Sequence, residues 1–489
     1  MTAKREIALF SALAVVLVLL RSFVPAYYEG YFFDSDQAIV GLMARHFSRL
    51  QTFPLFYYGL NYMLGVESWI IAPFFWLGRS SVTLMRLPFV ALNAGVAVWL
   101  VRAFATQLGL RPALGFAAAL PFIMPTPGAG GHLLELAGAC VEPFVYVLLL
   151  WSLRRRPFAF GALLTVAYLH REFTIFAVPA LVLVEVGRPA FWTRANLARG
   201  VWALAGAALA WLVVDDVRMH VAGAPLAVQA ASLRGQMCVT GPELAQRARA
   251  MITEAVPILF GARPLPLARL RMNSAVVAGS SVVGWLVAAA LATIVVRLLA
   301  GRRGGPANPS GAAPSHDDGF GTYLAWVGGF TACAYPLSCS IVPGGPPLLR
   351  YLPLAILLPV GCCATFLQRE RSQALRTLVV SVFVLWAGAN LRDNVRVIRG
   401  ALAEPPGSEH RVLVDYLIGQ RIRYARAIYW DAYVVDFLSG ERVITASIDV
   451  IRIPEYQKQV DEHAYAAVNL ERLPCTGGRR IASWCITGP

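Results

Sequence analysis

Residues 7–24 read IALFSALAVVLVLLRSFV, an apolar run broken only by Arg21 and preceded by Lys4 and Arg5. A run of this length and composition is suited to crossing a bilayer as a helix. It is not a cleaved leader on this reading, because Pro25–Gly30 is bulky and aromatic and offers no small-residue cleavage site. The fold class follows from how often the pattern recurs. Further apolar blocks fill windows near 86–105, 112–127, 132–153, 158–170, 172–187, 200–217, 274–299, 321–342, 350–367 and 375–391. With roughly 20 apolar residues per span, the chain is expected to cross the membrane about eleven times.

Composition agrees. The 489 residues are 57% hydrophobic and 15% charged, against about 25% charged for a soluble domain. That excludes a cytosolic enzyme, a disordered scaffold and a small disulfide-stapled protein. The formal charge of +15 does not imply nucleic acid. Lysine occurs only as Lys4 and Lys458, and the arginines cluster in gaps between apolar blocks, as at Arg154–Arg156. This is a topology signal, and it places alternate gaps in the cytoplasm. The N-terminus is then cytoplasmic, as is the Gly/Pro/Ala/Ser-rich linker 301–319. An odd number of spans puts the C-terminus outside. The arginine-bearing segment 218–273 breaks the alternation; its amphipathic stretch Glu243–Phe260 suits the membrane surface.

Composition changes from about Arg392, so the chain divides into a membrane unit, 1–391, and an outside unit, 392–489. Pro405–Ser408 marks a break, with Ser408 placed to cap a helix over Glu409–Gln420. Strands are predicted at Arg426–Trp430, Glu441–Ala446 and Ala464–Leu470, and helices at Asp431–Ser439 and Pro454–Glu462. This alternation predicts a small α/β domain. Cys475 and Cys485 flank a Gly–Gly turn there and are candidates for a hairpin disulfide. Most other cysteines sit in apolar blocks as small hydrophobes. No Cys/His spacing matches a zinc site.

The loop after the first span holds the most chemistry. Phe33–Asp34–Ser35–Asp36–Gln37–Ala38 sets two carboxylates at the mouth of that span, where an ionisable group is costly and tends to be functional. Either Asp also suits the cap of a helix at Ile39. The amphipathic run Ile39–Leu50 follows, then an aromatic stretch, Phe53–Tyr62, and Glu67. The aromatics, Tyr62 among them, suit sugar stacking or an interfacial belt.

These features resemble the GT-C class of integral-membrane glycosyltransferases, in particular the bacterial family 39, protein-mannosyltransferase-like group. The resemblance rests on the first span, the acidic loop, the Pro-aromatic-Tyr-Gly stretch, Glu67 and Met85–Arg86–Leu87–Pro88. It continues in Gly130–Gly131–His132–Leu133–Leu134–Glu135, Arg350–Tyr351–Leu352–Pro353–Leu354, Tyr429–Tyr433 and Phe437–Glu441. It implies an α-helical polytopic fold with amphipathic helices in the first periplasmic loop and a small C-terminal periplasmic domain, in the bacterial inner membrane. It also implies inverting transfer of a sugar from a polyprenyl-phosphate donor to a lipid, glycan or protein acceptor, among membrane lipids.

In the family an Asp of the first loop is taken as general base; the matching residue here is Asp36, with Asp34 the alternative. Gln37 stands where many members carry Glu. A carboxylate suits the proton transfer, and a cation near the surface suits the departing phosphate. Arg350, beside Tyr351, is the first candidate, then Arg171 and Arg86. Lipid-headgroup contact and a local Arg–Glu pair are the respective alternatives for Arg350 and Arg171. Glu67, His132 and Glu135 are candidates to bind the donor sugar. Asp34 and Asp36 are also a possible seat for a divalent cation, with no metal required. A transporter or flippase of lipid-linked saccharides is the competing function. It would place polar residues at mid-membrane in two corresponding halves, whereas the acidic groups here cluster at one face. A non-catalytic assembly protein would leave the loop carboxylates without a task.

Overall fold

The computed structural model describes residues 2–31, 33–138, 140–186, 191–222, 237–238, 242–262, 281–301, 319–339, 341, 349–475 and 477–488. The chain is a helical, polytopic integral membrane protein carrying a small sheet. Among the described residues, five helices are long and apolar enough to span a bilayer: Ala3–Tyr27, Val82–Thr106, Arg194–His220, Val282–Ala300 and Gln373–Ala403. Shorter apolar helices, Pro112–Ile123, Glu142–Leu153, Pro157–His170 and the segment Pro353–Arg369, occupy other expected windows. These helices start at proline or one residue before one, where the missing N–H costs nothing. Several are interrupted by turns such as Leu349–Tyr351 and Pro353–Ile356. Broken backbone of this kind is tolerated at membrane depth only where protein or water satisfies it. All of the linker 301–319 but its two end residues, and much of 218–273, lie outside the described residues.

Helix pairs approach closely where side chains vanish. A Cβ on Gly161 would collide with the Ala203 carbonyl, and one on Gly206 with that of Phe158, which locks Pro157–His170 against Arg194–Ala222. Gly361 meets Ala325 in the same way between Phe320–Ala334 and Leu357–Arg369. Small residues at such crossings let backbones pack where the hydrophobic effect gives no drive. Arg21, buried in the first helix, donates to Asn93 Oδ1 at 2.8 Å. The amide of Asn93 in turn donates to Leu133 O at 3.0 Å, tying three segments together.

In the first loop, helix Ser35–Ser48 starts four residues earlier than Ile39, capped by Asp34, whose carboxylate accepts from the Gln37 N–H at 3.1 Å. A two-stranded hairpin follows, β1 (Phe56–Tyr57) and β2 (Leu60–Leu64), and then helix Val66–Trp76. The stretch Glu243–Phe260 is helical, running from helix Pro242–Ala250 through the wider turn Met251–Ala255 to Val256–Leu259. Arg247 anchors the first of these by donating to Pro336 O at 2.8 Å and Cys238 O at 2.7 Å. A disulfide joins Cys238 to Cys339 beside that contact. The sequence reading missed this pair.

The helix Gln373–Ala403 runs on through Arg392 and gives way at Glu404 to the Pro405–Gly407 stretch. Beyond it lie helix Glu409–Gly419, capped by Ser408, and a five-stranded sheet. Its strands are β3 (Tyr424–Ala427), β4 (Ile444–Ser447), β5 (Ala467–Arg472), β6 (Arg479–Ile481) and β7 (Trp484–Thr487), in spatial order β4-β3-β5-β7-β6. β3 pairs in parallel with β4 and β5, and the hairpin β6–β7 adds antiparallel strands at one edge. Helices Tyr429–Ser439 and Pro454–Glu462 are the crossovers that parallel strands require. Gly440, at φ +68°, ends the first of them in the left-handed conformation that glycine adopts without strain. The β6–β7 hairpin carries a Cys475–Cys485 disulfide.

One buried apolar cluster runs from Ala14 of the first helix to Trp484 of the sheet. The seam between them is helix Ser35–Ser48, packed against Val66–Trp76 on one side and Tyr429–Ser439 on the other. Phe33 and Phe75 meet the Phe437 ring at 5.6 and 6.4 Å, and Gly41 leaves room for that ring. Arg45 lies over the same ring and donates to Phe437 O at 2.8 Å. His46 and Tyr456 both bond Glu441 at 2.8 Å. Burial works against ionisation of Glu441, but His46, Tyr456 and Arg45 outweigh it and hold the carboxyl down at about 2.

Candidate active site

Asp36 is on the first turn of the loop helix, 23% exposed, with its two carboxylate oxygens in different company. Oδ2 lies 3.4 Å from Arg350 Nη1. Oδ1 accepts from the Tyr429 hydroxyl, and Tyr57 donates to the Asp36 backbone carbonyl at 2.9 Å. Arg350 comes from the short turn Leu349–Tyr351 ahead of helix Leu357–Arg369, and its guanidinium lies 5.4 Å from the centroid of the Tyr351 ring. Burial works against its charge, but Tyr351, Asp36 and Glu135 more than compensate and raise its affinity for the proton. The residue is still 32% exposed. An open cation beside an open carboxylate can meet an anionic substrate.

Asp34 is held differently. One oxygen caps Gln37. Burial, then the neighbouring Asp36 and Glu135 charges, push its carboxyl up to about 7, with Gln37 and Arg350 opposing. Asp34 is therefore the helix cap that its residue type allows.

His132 ends the short helix Pro127–His132 and pairs with Glu135 just beyond it. Burial opposes ionisation of Glu135, but His132, Arg350 and Arg86 overcome it and hold the carboxyl below its usual range. Tyr62, on β2, is half-buried, and burial, followed by Glu172, raises its hydroxyl.

Arg86, Arg171 and Glu67 are buried and hydrogen-bonded within the protein. Arg86 is buried and donates to Pro25 O at 2.6 Å and to Gln37 Oε1 at 3.1 Å. The Gln37 amide thus meets a guanidinium that ties the loop helix to the first span. Arg171 is buried and pairs with Glu67 at 2.5 Å, 104 residues away in sequence, rather than with neighbouring Glu172. Glu67 also accepts from the Ala137 N–H at 3.0 Å. With its oxygens occupied and 3% exposure, it is not presented to a sugar as expected. Glu142 lies 3.8 Å from Arg171, and neither of its oxygens has a hydrogen-bond partner.

Glu67, Glu142 and His170 bring one ligand atom each within 4.8 Å of one another. Three potential ligands thus gather in this buried cluster, away from Asp34 and Asp36, with Arg171 beside both of its carboxylates. A cation seated on Asp34 and Asp36 would have to compete with Arg350 and Tyr429 for the second carboxylate.

Sequence reasoning missed Tyr57 and Tyr429 as neighbours of Asp36, and Arg452 behind Tyr429. Arg452 lies 5.8 Å from the Tyr429 ring centroid and donates to Gly59 O at 3.0 Å. The strand expected over Arg426–Trp430 ends at Ala427 and Tyr429 opens the following helix, so the sequence reading set this residue in the wrong element.

No protein-family model matches the chain, and no curated protein matches it. A solved structure does: the chain is similar to ArnT from Cupriavidus metallidurans, crystallised bound to undecaprenyl phosphate. The TM-score is 0.57 at 12% identity, over 99% of this chain and 98% of that one. The likeness is one of fold alone, the helical polytopic GT-C type.

Proposed function

We propose that this chain is an inverting glycosyltransferase that moves a sugar from a polyprenyl-phosphate donor to an acceptor hydroxyl. The observation that carries the reading is Asp36 and Arg350 side by side and partly open, on the loop after the first span. The resemblance to ArnT, a protein crystallised with undecaprenyl phosphate, supports the donor class. In the proposed step the acceptor oxygen attacks the anomeric carbon while its proton passes to Asp36 Oδ2. The bond from that carbon to the phosphate oxygen breaks, leaving polyprenyl phosphate. Arg350 meets the charge that gathers on the departing phosphate. Attack opposite the leaving group inverts the anomeric centre. Asp34 caps the helix that carries the base. His132 and Glu135 are polar groups suited to orient the donor sugar, and Tyr62 and Tyr351 offer aromatic surface to it.

The reading extends to place. The loop, the C-terminal unit 392–489 and both disulfides share one side of the membrane in this proposal. An oxidising periplasm, with the protein in a bacterial inner membrane, suits disulfides. The subgroup within the class, and an acceptor that is lipid, glycan or protein, belong to the same proposal.

The test uses full-length protein in detergent. Undecaprenyl-phosphate sugars, radiolabelled in and extracted from the host's own membranes, are the donor. Lipid, glycan and protein fractions of the same envelope are the acceptors. Label passing to one fraction with release of undecaprenyl phosphate supports the reading. Label that stays on the donor, yet crosses vesicles holding the protein, supports a transporter instead.

A further inference from the structure

Tyr429 is anchored three times over. Its N–H donates to Asp449 Oδ1 at 2.7 Å, its carbonyl accepts from Ser35 Oγ at 2.5 Å, and its ring packs against Trp430 and Tyr433 at 5.1 and 5.6 Å. It is 5% exposed. None of these anchors involves the hydroxyl. That group donates to Asp36 Oδ1, 393 residues away in sequence, and also meets the Tyr57 hydroxyl, whose own bond is to the Asp36 backbone.

We propose that Tyr429 is the positioning residue of the base, so that the C-terminal unit completes the site rather than merely covering it. The proposal rests on the reading of Asp36 as the base. An Asp carboxylate turns about two bonds, and either oxygen can face the substrate. A donor fixed on Oδ1 removes that freedom and leaves Oδ2, beside Arg350, as the oxygen offered to the acceptor. Holding a reacting group in one orientation lowers the barrier by entropy already spent in folding. The donor is itself held: Arg452 lies against the Tyr429 ring and binds Gly59 in the first loop. Ser35, adjacent to the base, binds the Tyr429 backbone. Loop and sheet therefore meet at the two neighbours Ser35 and Asp36. A contact serving adhesion alone would not need the hydroxyl, because Ser35 and the Phe437 packing already supply that.

Tyr429→Phe deletes the hydroxyl and keeps every anchor. With the donor and acceptor fractions described above, this variant should retain its unfolding temperature and its KM for donor, while kcat falls about 10- to 100-fold. In the Asp36→Asn background the same substitution should slow transfer no further, because the oxygen it orients no longer takes a proton. A kcat within about twofold of the parent overturns the proposal, as does a full further loss in the Asp36→Asn background. A fall in unfolding temperature that accounts for the lost activity also overturns it. Failure of the underlying reading looks different: Asp36→Asn alone would then transfer at the parent rate.

Discussion

Arg350 Nη1 stands 3.4 Å from Asp36 Oδ2, although 314 residues separate them in sequence. The pair joins a turn ahead of a late membrane helix to the loop after the first one. Both partners keep solvent exposure, so little of their value is structural; open ion pairs contribute about 0–1 kcal/mol. Arg350→Ala should leave the unfolding temperature nearly unchanged. It should weaken donor binding and also lower transfer, because its charge would meet phosphate in both ground and transition states. Equilibrium binding of undecaprenyl phosphate and steady-state kinetics check this. Full binding together with full activity would assign Arg350 to lipid headgroups.

Arg171 predicts the opposite pattern. It is buried between Glu67 and Glu142, and removing it strands two carboxylates away from water. Breaking a buried ion pair costs about 3–5 kcal/mol. Arg171→Ala should fold poorly and lose unfolding temperature. Glu67→Gln/Arg171→Met, which removes the charges in pairs, should recover part of that loss. Thermal unfolding in detergent is the measurement.

Asp34 sets a pH dependence. Its carboxyl titrates at about 7 in the folded chain against 3.8 as the ordinary value, raised by burial first and then by Asp36. The folded state therefore holds that proton more tightly than the unfolded one. The stability this contributes is present below about 3.8 and is lost as pH rises through 7. Asn keeps the helix cap without the charge. Asp34→Asn should gain stability relative to the parent above pH 7, and the gain should vanish in acid. Unfolding temperatures across this range check the sign. Its transfer rate should fall far less than that of Asp36→Asn.

The two disulfides predict a labelling pattern. In unfolded, unreduced protein Cys238, Cys339, Cys475 and Cys485 should resist a maleimide, while Cys140, Cys333, Cys362 and Cys363 react. The bridges close stretches 101 and 10 residues apart. By loop entropy the longer is worth roughly 4–5 kcal/mol and the shorter about 3. Cys238→Ser should therefore lower the unfolding temperature more than Cys475→Ser. Mass spectrometry of the labelled peptides reads the first outcome and calorimetry the second.

What the sequence made legible was local. Apolar windows located the membrane helices because a span is a contiguous run of one kind of residue. Ser408 announced its helix, because capping acts over three residues; for the loop helix the sequence offered either Asp34 or Asp36 as cap and set the start late, at Ile39. The strand–helix–strand order after Arg421 could be read from short alternations, and Cys475–Cys485 from a turn. Long-range pairing was hidden. Nothing near Arg171 announces Glu67, and nothing near Asp36 announces Tyr429, since both contacts exist only after helices far apart have packed. Cys238 and Cys339 looked like other cysteines beside apolar blocks. The span count was read from composition, whereas the chain uses several short helices joined by turns, whose polar ends are satisfied by neighbours that composition does not reveal.

Single-turnover transfer by Asp36→Asn tests the account most directly. Asn keeps the size and polarity of the side chain but cannot take a proton. With donor bound in excess enzyme, the variant should fold and bind undecaprenyl-phosphate sugar as the parent does. Its transfer should fall by about 100- to 10,000-fold, the usual loss for a positioned base. Near-parent transfer by Asp36→Asn, with the loss appearing in Asp34→Asn instead, would contradict the assignment of the base. Near-parent transfer by both would contradict the mechanism.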